Sequence, residues 1–297
     1  MTIKTHFRVL GFLTAFAACM PAAAAQAQSP DRLRSELKVP DSAHVQILTL
    51  RDGSTLIGRI SAVGDKSVTF DAKVGRLTIG IETIRQVKEI PASRIKDGVY
   101  WFENPNSTRL FFAPTGRMLK RGEGYFSDYE IFFPGIAYGV NDHITIGGGS
   151  SIFPIGLGDQ VYFVTPKIGT EVRKDVSVAA GALIIGGIPD ESTAGIVYSV
   201  GTFGPPDGSI TLGLGYGFSG NTLSKNPVFV FGGEKRVTRR IALVTENYQI
   251  PNTDVNPLFS FGVRFMGEKM TADLALMNFS GSGLGIGIPY VDFVIKF

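Results

Sequence analysis

From about residue 108 to the C-terminus, apolar residues alternate with polar or small residues in segments of roughly ten residues. A period of two predicts β-strands with two chemically different faces, and about ten residues is the length of a tilted strand that crosses a membrane. We count twelve such segments, although an error of one hairpin would make the number ten or fourteen. They begin near Thr108, Gly124, Ile144, Gln160, Val176, Ser192, Ser209, Pro227, Arg240, Pro257, Met270 and Gly285. The predicted fold class is all-β, with a transmembrane antiparallel β-barrel over residues 108–297.

The alternation is clearest in the last segment. Its apolar face consists of Val291, Phe293, Ile295 and Phe297, and its polar face carries Asp292 and Lys296. An outer face in lipid and an inner face in water need this pattern. The segment resembles the closing strand of bacterial outer-membrane β-barrel proteins, in which a terminal Phe follows alternating apolar residues. The resemblance implies that these four apolar residues are the signal read by the barrel-assembly machinery.

The connections between the segments alternate between tight polar turns and looser stretches. Membrane barrels have short turns on the periplasmic side and longer loops outside. An even number of strands is consistent with a first strand that rises from the periplasm and a last strand that returns to it. The loops predicted outside are 114–123, 156–159, 189–191, 219–226, 251–256 and 280–283.

The tenth and eleventh segments predict a register. If Glu268 and Lys269 form a two-residue turn, Arg264 lies opposite Asp273 on the lumen face. Val263 then pairs with Leu274 on the lipid face. A slip of one residue would place Arg264 in lipid, at a cost of about 2–4 kcal/mol near the middle of the membrane.

The N-terminus has the features of a secretory signal. A basic start precedes an apolar stretch from Val9 to Met20, and Ala25-Gln26-Ala27 is a small-x-small cleavage site. We therefore expect a signal peptide over residues 1–27. A lipoprotein site at Cys19 is an alternative, although Phe16 stands where an aliphatic residue is expected. After cleavage the mature chain has no cysteine, so we expect neither disulfides nor thiolate metal sites.

A small β domain is predicted between residues 43 and 93, flanked by linkers over residues 28–42 and 94–107. Five short apolar stretches fall within it, and Asp52-Gly53 marks a tight hairpin turn. Their spacing resembles small Sm-like or SH3-like barrels. The resemblance implies either a peptide-binding or tethering module or a folded periplasmic spacer.

Charged residues of both signs fall on the predicted inner face of the barrel. They could form a polar path that selects a solute, or they could pair across the wall of a filled interior. The middle strands offer a small, uncharged inner face with Ser177, Ala179, Gly181, Gly195, Ser199, Gly201, Thr211, Gly213, Gly215 and Gly217, which leaves space for a solute, an inserted loop or the N-terminal domain. The charged set comprises Asp128, Glu130, Lys167, Glu171, Glu246, Arg264, Asp273, Asp292 and Lys296.

Two patterns that resemble catalytic or binding motifs do not fit their contexts. The run from Gly215 to Gly220 matches a G-x-G-x-x-G dinucleotide motif but lies within a strand pattern that no helix follows. His6, His44 and His143 are dispersed and fall outside the predicted barrel wall, so they provide neither a general base nor a zinc site there. We therefore predict that the protein is not an enzyme and has no cofactor or metal.

The net charge and the basic residues of one predicted loop indicate which partners to expect. The formal net charge of +3 gives no reason to expect nucleic acid. The loop from Pro114 to Gly124 carries Arg117, Lys120 and Arg121, which could contact phosphates of lipopolysaccharide. The expected partners are outer-membrane lipid and lipopolysaccharide, the barrel-assembly machinery and a periplasmic protein.

These observations predict an outer-membrane β-barrel with its N-terminal domain in the periplasm. Its function is expected to be a diffusion channel for small polar solutes. A closed barrel that anchors or scaffolds the periplasmic domain is the alternative. The sequence leaves the solute, the partner and the oligomeric state open.

Overall fold

The structure is a computed structural model that describes residues 30–153, 160–187, 193–251, 256–279 and 287–297. The predicted signal peptide, Cys19 and the predicted loops 156–159, 189–191 and 280–283 lie outside the described residues, as do residues 252–255 of the predicted loop 251–256. The chain divides into two compact units, Met1–Trp101 and Phe102–Phe297. None of the helices in the described part of the chain has the length and apolar character needed to cross a membrane.

The N-terminal unit is built on a five-stranded antiparallel sheet, in which the strands lie side by side in the order fourth, third, second, first and fifth along the chain. Its elements are α1 (Pro30–Glu36), β1 (His44–Leu50), β2 (Thr55–Val63), β3 (Ser67–Ala72), β4 (Gly75–Gly80) and β5 (Ile84–Pro91), followed by the short pair β6 (Ile95–Lys96) and β7 (Val99–Tyr100). Gly53 has a φ of 87° in the predicted turn between β1 and β2. The strands lie where the alternating pattern predicts them.

Residues 30–37 are part of this folded unit, so the prediction of a linker from residue 28 to residue 42 is wrong for them. Leu33 and Leu37 are buried in one apolar cluster with residues of the sheet, including Leu48 and Phe70. Their spacing of four residues places both side chains on the same side of the helical segment. The two leucines of this short stretch therefore pack the helical segment against the sheet.

A buried amide connects this segment to the sheet. Gln46 on β1 is fully buried. Its Nε2 donates to the carbonyl of Lys38 at 2.9 Å, and its Oε1 accepts from the N–H of Ile60 at 3.0 Å. Both ends of the side chain are therefore satisfied, as burial of an amide requires.

The C-terminal unit is a closed antiparallel barrel of twelve strands. Consecutive strands are neighbours, and the last strand pairs with the first to close the wall. The strands are β8 (Gly124–Tyr129), β9 (Phe133–Asn141), β10 (Ile144–Ser150), β11 (Tyr162–Arg173), β12 (Val176–Gly186), β13 (Ala194–Phe203), β14 (Gly208–Ser219), β15 (Thr222–Thr238), β16 (Ile241–Gln249), β17 (Leu258–Met266), β18 (Met270–Phe279) and β19 (Ile288–Lys296).

The strand count agrees with the prediction, but the first two predicted strands are wrong. The stretch that begins at Thr108 forms no wall strand, and the stretch from Gly124 to Asn141 forms both β8 and β9. Glu130 and Ile131 have φ values of 54° and 67° and turn the chain between them. Neither residue type favours such a turn, which is why the sequence pattern reads as one strand.

The register predicted for the tenth and eleventh segments is confirmed between β17 and β18. Arg264 lies opposite Asp273, and Val263 lies opposite Leu274. Exposed apolar side chains alternate with inward positions around the wall, so the outer face of the barrel is apolar. Examples on the outer face are Ile146, Ile168, Leu212, Phe231, Leu243, Phe261, Leu274 and Phe293.

Phe297 takes part in the closure of the barrel. Its N–H donates to the carbonyl of Gly124 at 2.8 Å, and its carbonyl accepts from the N–H of Gly124 at 3.3 Å. A Cβ at position 124 would come within 2.7 Å of the Phe297 ring. Gly124 therefore provides the space in which the terminal ring lies.

Candidate functional site in the barrel lumen

The chain from Phe102 to Glu123, here called the lumen segment, lies inside the barrel. It folds back on itself at a tip formed by residues 110–113, where the N–H of Leu110 donates to the carbonyl of Ala113 at 2.8 Å. Its two limbs are joined by a bridge between Arg109 and Pro114. Leu110 and Phe111 are almost fully buried against wall residues. The segment therefore occupies the lumen that an open channel would need.

Glu246 on β16 holds the tip. Its carboxylate accepts hydrogen bonds from three consecutive backbone N–H groups, those of Phe111 at 2.8 Å, Phe112 at 3.0 Å and Ala113 at 2.9 Å. The hydroxyl of Tyr248 donates to the same carboxylate at 2.7 Å. Glu246 is fully buried. Because a buried carboxylate needs such donors, wall and tip satisfy each other.

Arg264 joins two wall carboxylates to the segment. Its guanidinium contacts Asp273, with Nη2 and Oδ2 at 2.7 Å, and Glu234, with Nη1 and Oε2 at 2.6 Å. It also donates to the carbonyls of Asn106 at 2.9 Å and Leu110 at 2.6 Å. The guanidinium therefore uses its fork of donors on the wall and the segment at once.

A second buried ion pair runs from the segment to the wall. Nη2 of Arg109 lies 2.6 Å from Oδ2 of Asp292 on β19. The guanidinium of Arg109 also donates to the carbonyl of Phe111 and lies over the ring of Tyr129, 4.4 Å from its centroid. Both charged side chains are buried. Breaking such a pair on one side costs about 3–5 kcal/mol.

Lys167 on β11 binds the backbone of both limbs. Its ammonium donates to the carbonyl of Arg117 at 2.7 Å and, at 3.3 Å, to those of Thr108 and Thr115. The ammonium is a compact charge with three donors, which matches three converging carbonyls. The two limbs of the segment are thereby connected through one wall residue.

Both limbs meet the wall near its tight-turn end. Arg236, beside the turn between β15 and β16, donates to the carbonyl of Phe102 at 2.7 Å. On the returning limb, Arg117 donates to the carbonyl of Gly204 at 2.8 Å, and the N–H of Arg121 donates to Asp142 at 2.9 Å. The segment therefore enters and leaves the lumen at the same mouth.

The prediction of an external loop over residues 114–123 is wrong, because this stretch lies in the lumen and leaves it at the tight-turn end. Arg117 contacts Ser209 and Gly204, both at the tight-turn end. The expected contact of this stretch with lipopolysaccharide phosphates therefore loses its basis.

The inner wall is also shaped to the segment. A Cβ on Gly232 of β15 would lie 2.7 Å from Cδ1 of Leu110, and one on Gly169 of β11 would lie 2.9 Å from the sulfur of Met118. Real Cβ atoms do not approach other atoms so closely. The space that these glycines leave at the wall is therefore occupied by side chains of the lumen segment and is not open to a solute.

Seven of the nine charged residues predicted to line the lumen occupy inward positions of the wall, in three different settings. Lys167, Glu246, Arg264, Asp273 and Asp292 are buried and contact the segment or its partners, as described above. Lys296 pairs with Glu123 at 2.9 Å near the tight-turn end. Glu171 is exposed and accepts from the N–H of Asp175 at 3.0 Å in the turn between β11 and β12.

The structure places Asp128 and Glu130 elsewhere. Asp128 lies opposite Phe293, whose side chain is on the outer face, so Asp128 is on that face too. Glu130 lies in the turn after β8. Both expectations assumed an unbroken strand, and the turn within it changes which face each residue occupies.

The uncharged inner face predicted for the middle strands is correct in part. On β13 the inward residues are Tyr198, Val200 and Thr202, because they lie opposite Gly181, Ala179 and Ser177 of β12. The predicted Gly195, Ser199 and Gly201 are therefore on the outer face. The alternation is weak here because apolar side chains occur on both faces of β13, and sequence cannot fix the phase. The predicted inward residues of β12 and β14 (Thr211, Gly213, Gly215 and Gly217) keep their face.

Sequence reasoning missed the lumen segment itself. It opens with the polar run Glu103-Asn104-Pro105-Asn106-Ser107, which belongs to the predicted linker over residues 94–107. In the structure Asn104 donates to Glu234 at 2.6 Å, and the N–H of Asn106 donates to Asn104 at 2.9 Å. A polar stretch directly before a barrel with unpaired inner charges is the signal that could have indicated a filling segment.

A cluster in the N-terminal unit contains ligand types for a metal. Ligand atoms of Asp41, His44 and Glu89 lie within 4.8 Å of one another. His44 and Asp41 are hydrogen-bonded at 2.7 Å, and Lys38 forms a surface ion pair with Glu89 at 3.3 Å. The hydrogen bond from His44 lowers the pKa of Asp41. The lysine competes with a cation for Glu89, so the cluster has partners without a metal.

Comparison with known proteins finds only weak similarity to solved structures. No protein-family model matches the chain, and no curated protein matches it. Among solved structures, the KdgM porin is 8% identical with a TM-score of 0.42, and the match covers 59% of this chain and 95% of that chain. The NanC porin is 10% identical with a TM-score of 0.39, covering 59% and 97%. A loop-deletion mutant of OmpT from Vibrio cholerae is 12% identical with a TM-score of 0.32, covering 86% and 97%. Such low values carry no inference about a solute.

Proposed function

We propose that this protein is an outer-membrane β-barrel closed by its own lumen segment, and that it anchors the N-terminal β domain on the periplasmic side. The observation that carries the proposal is the filled lumen. The tip of the segment is bound by Glu246, its first limb by Arg264 and its returning limb by Lys167. This favours the scaffold alternative over the diffusion channel predicted from sequence.

A membrane location is supported by the outer face of the barrel. Its exposed side chains include many large aliphatic and aromatic residues, such as Leu212 and Phe261. A soluble protein rarely exposes so continuous an apolar surface, whereas a lipid-facing barrel requires it. The apolar alternation up to Phe297 and the predicted signal peptide support the outer membrane as the destination.

The strength of the contacts supports a closed resting state. Withdrawal of the segment would separate Arg109 from Asp292 and Glu246 from three N–H groups at once. Each hydrogen bond to a charged group contributes about 1.5–3 kcal/mol. An open state several such contacts higher in free energy would be rarely populated.

The proposed role leaves the N-terminal unit as the part that acts on a periplasmic partner. The unit has its own apolar core, which includes Leu48, Ile60 and Phe70. A separate core means that the domain can present a surface independently of the barrel. The resemblance of its strand spacing to small Sm-like or SH3-like barrels, interpreted as a peptide-binding or tethering module, makes a protein partner the first candidate.

Planar-bilayer conductance of the refolded protein tests the closed barrel. The full-length chain should be silent, and deletion of residues 104–120 should produce steady conductance because the lumen loses its filling. Deletion of residues 43–93 is the matched control and should remain silent, since the lumen segment stays in place. Steady conductance from the full-length chain would overturn the proposal and restore the diffusion channel.

Retention of a partner tests the anchoring role separately. Affinity capture of the full-length protein from an envelope extract, beside the variant without residues 43–93, should recover a periplasmic protein only with the complete chain. An identical set of captured proteins from both variants would contradict the anchoring role.

A further inference from the structure

The barrel wall is lowest at the hairpin of β8 and β9. β8 has 6 residues, whereas β11 to β14 have 12, 11, 10 and 12. β8 pairs with residues 292–296 of β19, so Ile288 to Tyr290 extend beyond its end without a β8 partner among the described residues. Pro289 in this stretch has no N–H to donate, which suits an unpaired strand edge. The wall therefore has a notch above the β8–β9 turn.

The turn at the base of this notch is strained and apolar. Glu130 and Ile131 both have positive φ values, 54° and 67°. Positive φ is unfavourable for a β-branched residue, and turns of this kind usually contain Asn and Gly. Ile131 and Phe132 are 53% and 45% exposed. The turn therefore presents two apolar side chains, beside Glu130, at the base of the notch.

Behind the notch, the lumen beyond the tip is apolar. Its walls are the inward positions farther from the tight-turn end than the contacts of the lumen segment. These positions are partly exposed, in contrast to the buried positions around the segment, and none of those that the structure describes carries a charge. They include Phe163 and Thr165 of β11, Leu183 and Ile185 of β12, Ile196 and Tyr198 of β13, Val228 and Val230 of β15, Leu258 of β17 and Met277 of β18.

The tip of the lumen segment forms the floor of this space. Phe112 is 43% exposed, although the neighbouring Phe111 is fully buried. The ring of Phe112 stacks on Tyr129, with centroids 5.8 Å apart, and packs against Tyr290 at 4.7 Å. Tyr129 is the last residue of β8. The exposed aromatic floor therefore lies directly beside the notch.

We propose that this apolar space, here called the upper cup, binds one hydrocarbon chain of a membrane lipid that enters laterally through the notch. The inference rests on the proposed location of the barrel in the outer membrane. An apolar lining excludes a charged or sugar-like solute, because such a solute would lose its water without gaining partners. Burial of apolar surface in the cup instead favours a hydrocarbon chain.

The position of the notch identifies lipid as the source of the chain. An unpaired sheet edge in contact with lipid leaves backbone groups unsatisfied, and Pro289 lowers that cost here because it has no N–H. Here the edge of β19 opens beside exposed Ile131 and Phe132. A lipid chain that passes this edge exchanges one hydrocarbon environment for another.

Tryptophan quenching by phospholipids with brominated acyl chains tests the proposal. The chain has one tryptophan, Trp101, so the background variant is Trp101→Phe. Phe112→Trp places the probe on the floor of the cup, and Phe231→Trp places it on the outer face, where the native side chain is also 43% exposed. In vesicles of brominated phosphatidylcholine, we expect comparable quenching of both probes.

A variant that fills the upper cup distinguishes quenching by a lipid chain bound inside it from quenching by lipid outside the barrel wall. Gly217 faces inward opposite Ile196, and a Cβ there would meet its nearest atom at 3.7 Å, so Gly217→Leu fits the fold. It should abolish quenching of the probe at position 112. Gly201→Leu on the outer face is the matched control and should leave it unchanged.

Three outcomes are distinguishable. Quenching at position 112 that Gly217→Leu abolishes supports the lipid chain. Quenching at position 231 with none at position 112, or with quenching at 112 that survives Gly217→Leu, overturns the proposal and leaves the membrane barrel intact. Absence of quenching at position 231 would show that the barrel is not in the membrane, and the proposed function itself would fail.

Discussion

Arg264 and Asp273 face each other on neighbouring strands and form a two-point ion pair, with Nε to Oδ1 at 2.8 Å and Nη2 to Oδ2 at 2.7 Å. Both side chains are fully buried. The same guanidinium also holds two carbonyls of the lumen segment. The pair therefore connects the register of the wall to the filling of the lumen.

Replacement of one partner of this pair should be more harmful than replacement of both. Arg264→Leu leaves Asp273 and Glu234 buried without a counter-charge, and we expect a loss of about 3–5 kcal/mol in the free energy of unfolding. The double variant with Asp273→Leu should lose less than the sum of the single variants. Urea unfolding in detergent micelles, followed by the heat-modifiable gel shift, measures the four states of the cycle. Strict additivity would mean that the two residues do not interact.

Glu246→Gln should loosen the tip of the lumen segment without unfolding the barrel. The amide presents an NH₂ where the carboxylate accepts from backbone donors, and a hydrogen bond to a charged group contributes about 1.5–3 kcal/mol. Hydrogen exchange of the N–H groups of residues 111–113 should become faster. Glu171→Gln, on the exposed part of β11, is the control. Equal protection at the tip in both variants would show that Glu246 does not hold it.

Two variants at the C-terminus separate an assembly signal from structural closure. Deletion of Phe297 removes the ring and the two backbone hydrogen bonds to Gly124, whereas Phe297→Ala keeps the hydrogen bonds. If the ring is the signal, both variants should reach the outer membrane in reduced amounts while the N-terminal domain stays folded. Normal outer-membrane levels of the Ala variant would assign the effect of the deletion to closure alone.

Gln46→Ala should destabilise the N-terminal unit. It leaves the N–H of Ile60 and the carbonyl of Lys38 without their side-chain partner in a buried site, which costs about 1–3 kcal/mol. Hydrogen exchange of β1 and β2 in the full-length chain should accelerate, with the barrel unaffected. Gln86→Ala on β5, where the side chain is only partly buried, provides the comparison. Similar exchange in both variants would show that the amide bridge contributes nothing.

Much of the barrel could be predicted from the sequence because lipid and water impose alternation on each strand. The pairing of Arg264 with Asp273 follows from that rule, since a slip of one residue would expose a charge to lipid. The rule fails where both faces of a strand meet apolar surroundings. On β13, Tyr198 points into the apolar upper lumen and Val197 points outward, so the pattern has no preferred phase.

The lumen segment could not be predicted from alternation because it forms no strand in the wall. Its residues satisfy partners far along the chain, such as Arg109 with Asp292, and these pairings have no local signature. The prediction of inner charges at Glu246 and Asp292 was informative nevertheless. Such charges need partners, and the structure supplies them from a stretch that local patterns assign to a linker and a first strand.

Both limbs of the lumen segment leave the barrel at its tight-turn end. This geometry determines how the segment would respond to mechanical force. Phe102 follows directly on the N-terminal unit. A pull on that unit would load the contacts of the first limb one after another, beginning with those of Phe102 and Asn104 and reaching Glu246 last. At rest, all of these contacts would have to break at once to release the lumen segment. Under a pull from one end, they would break one after another.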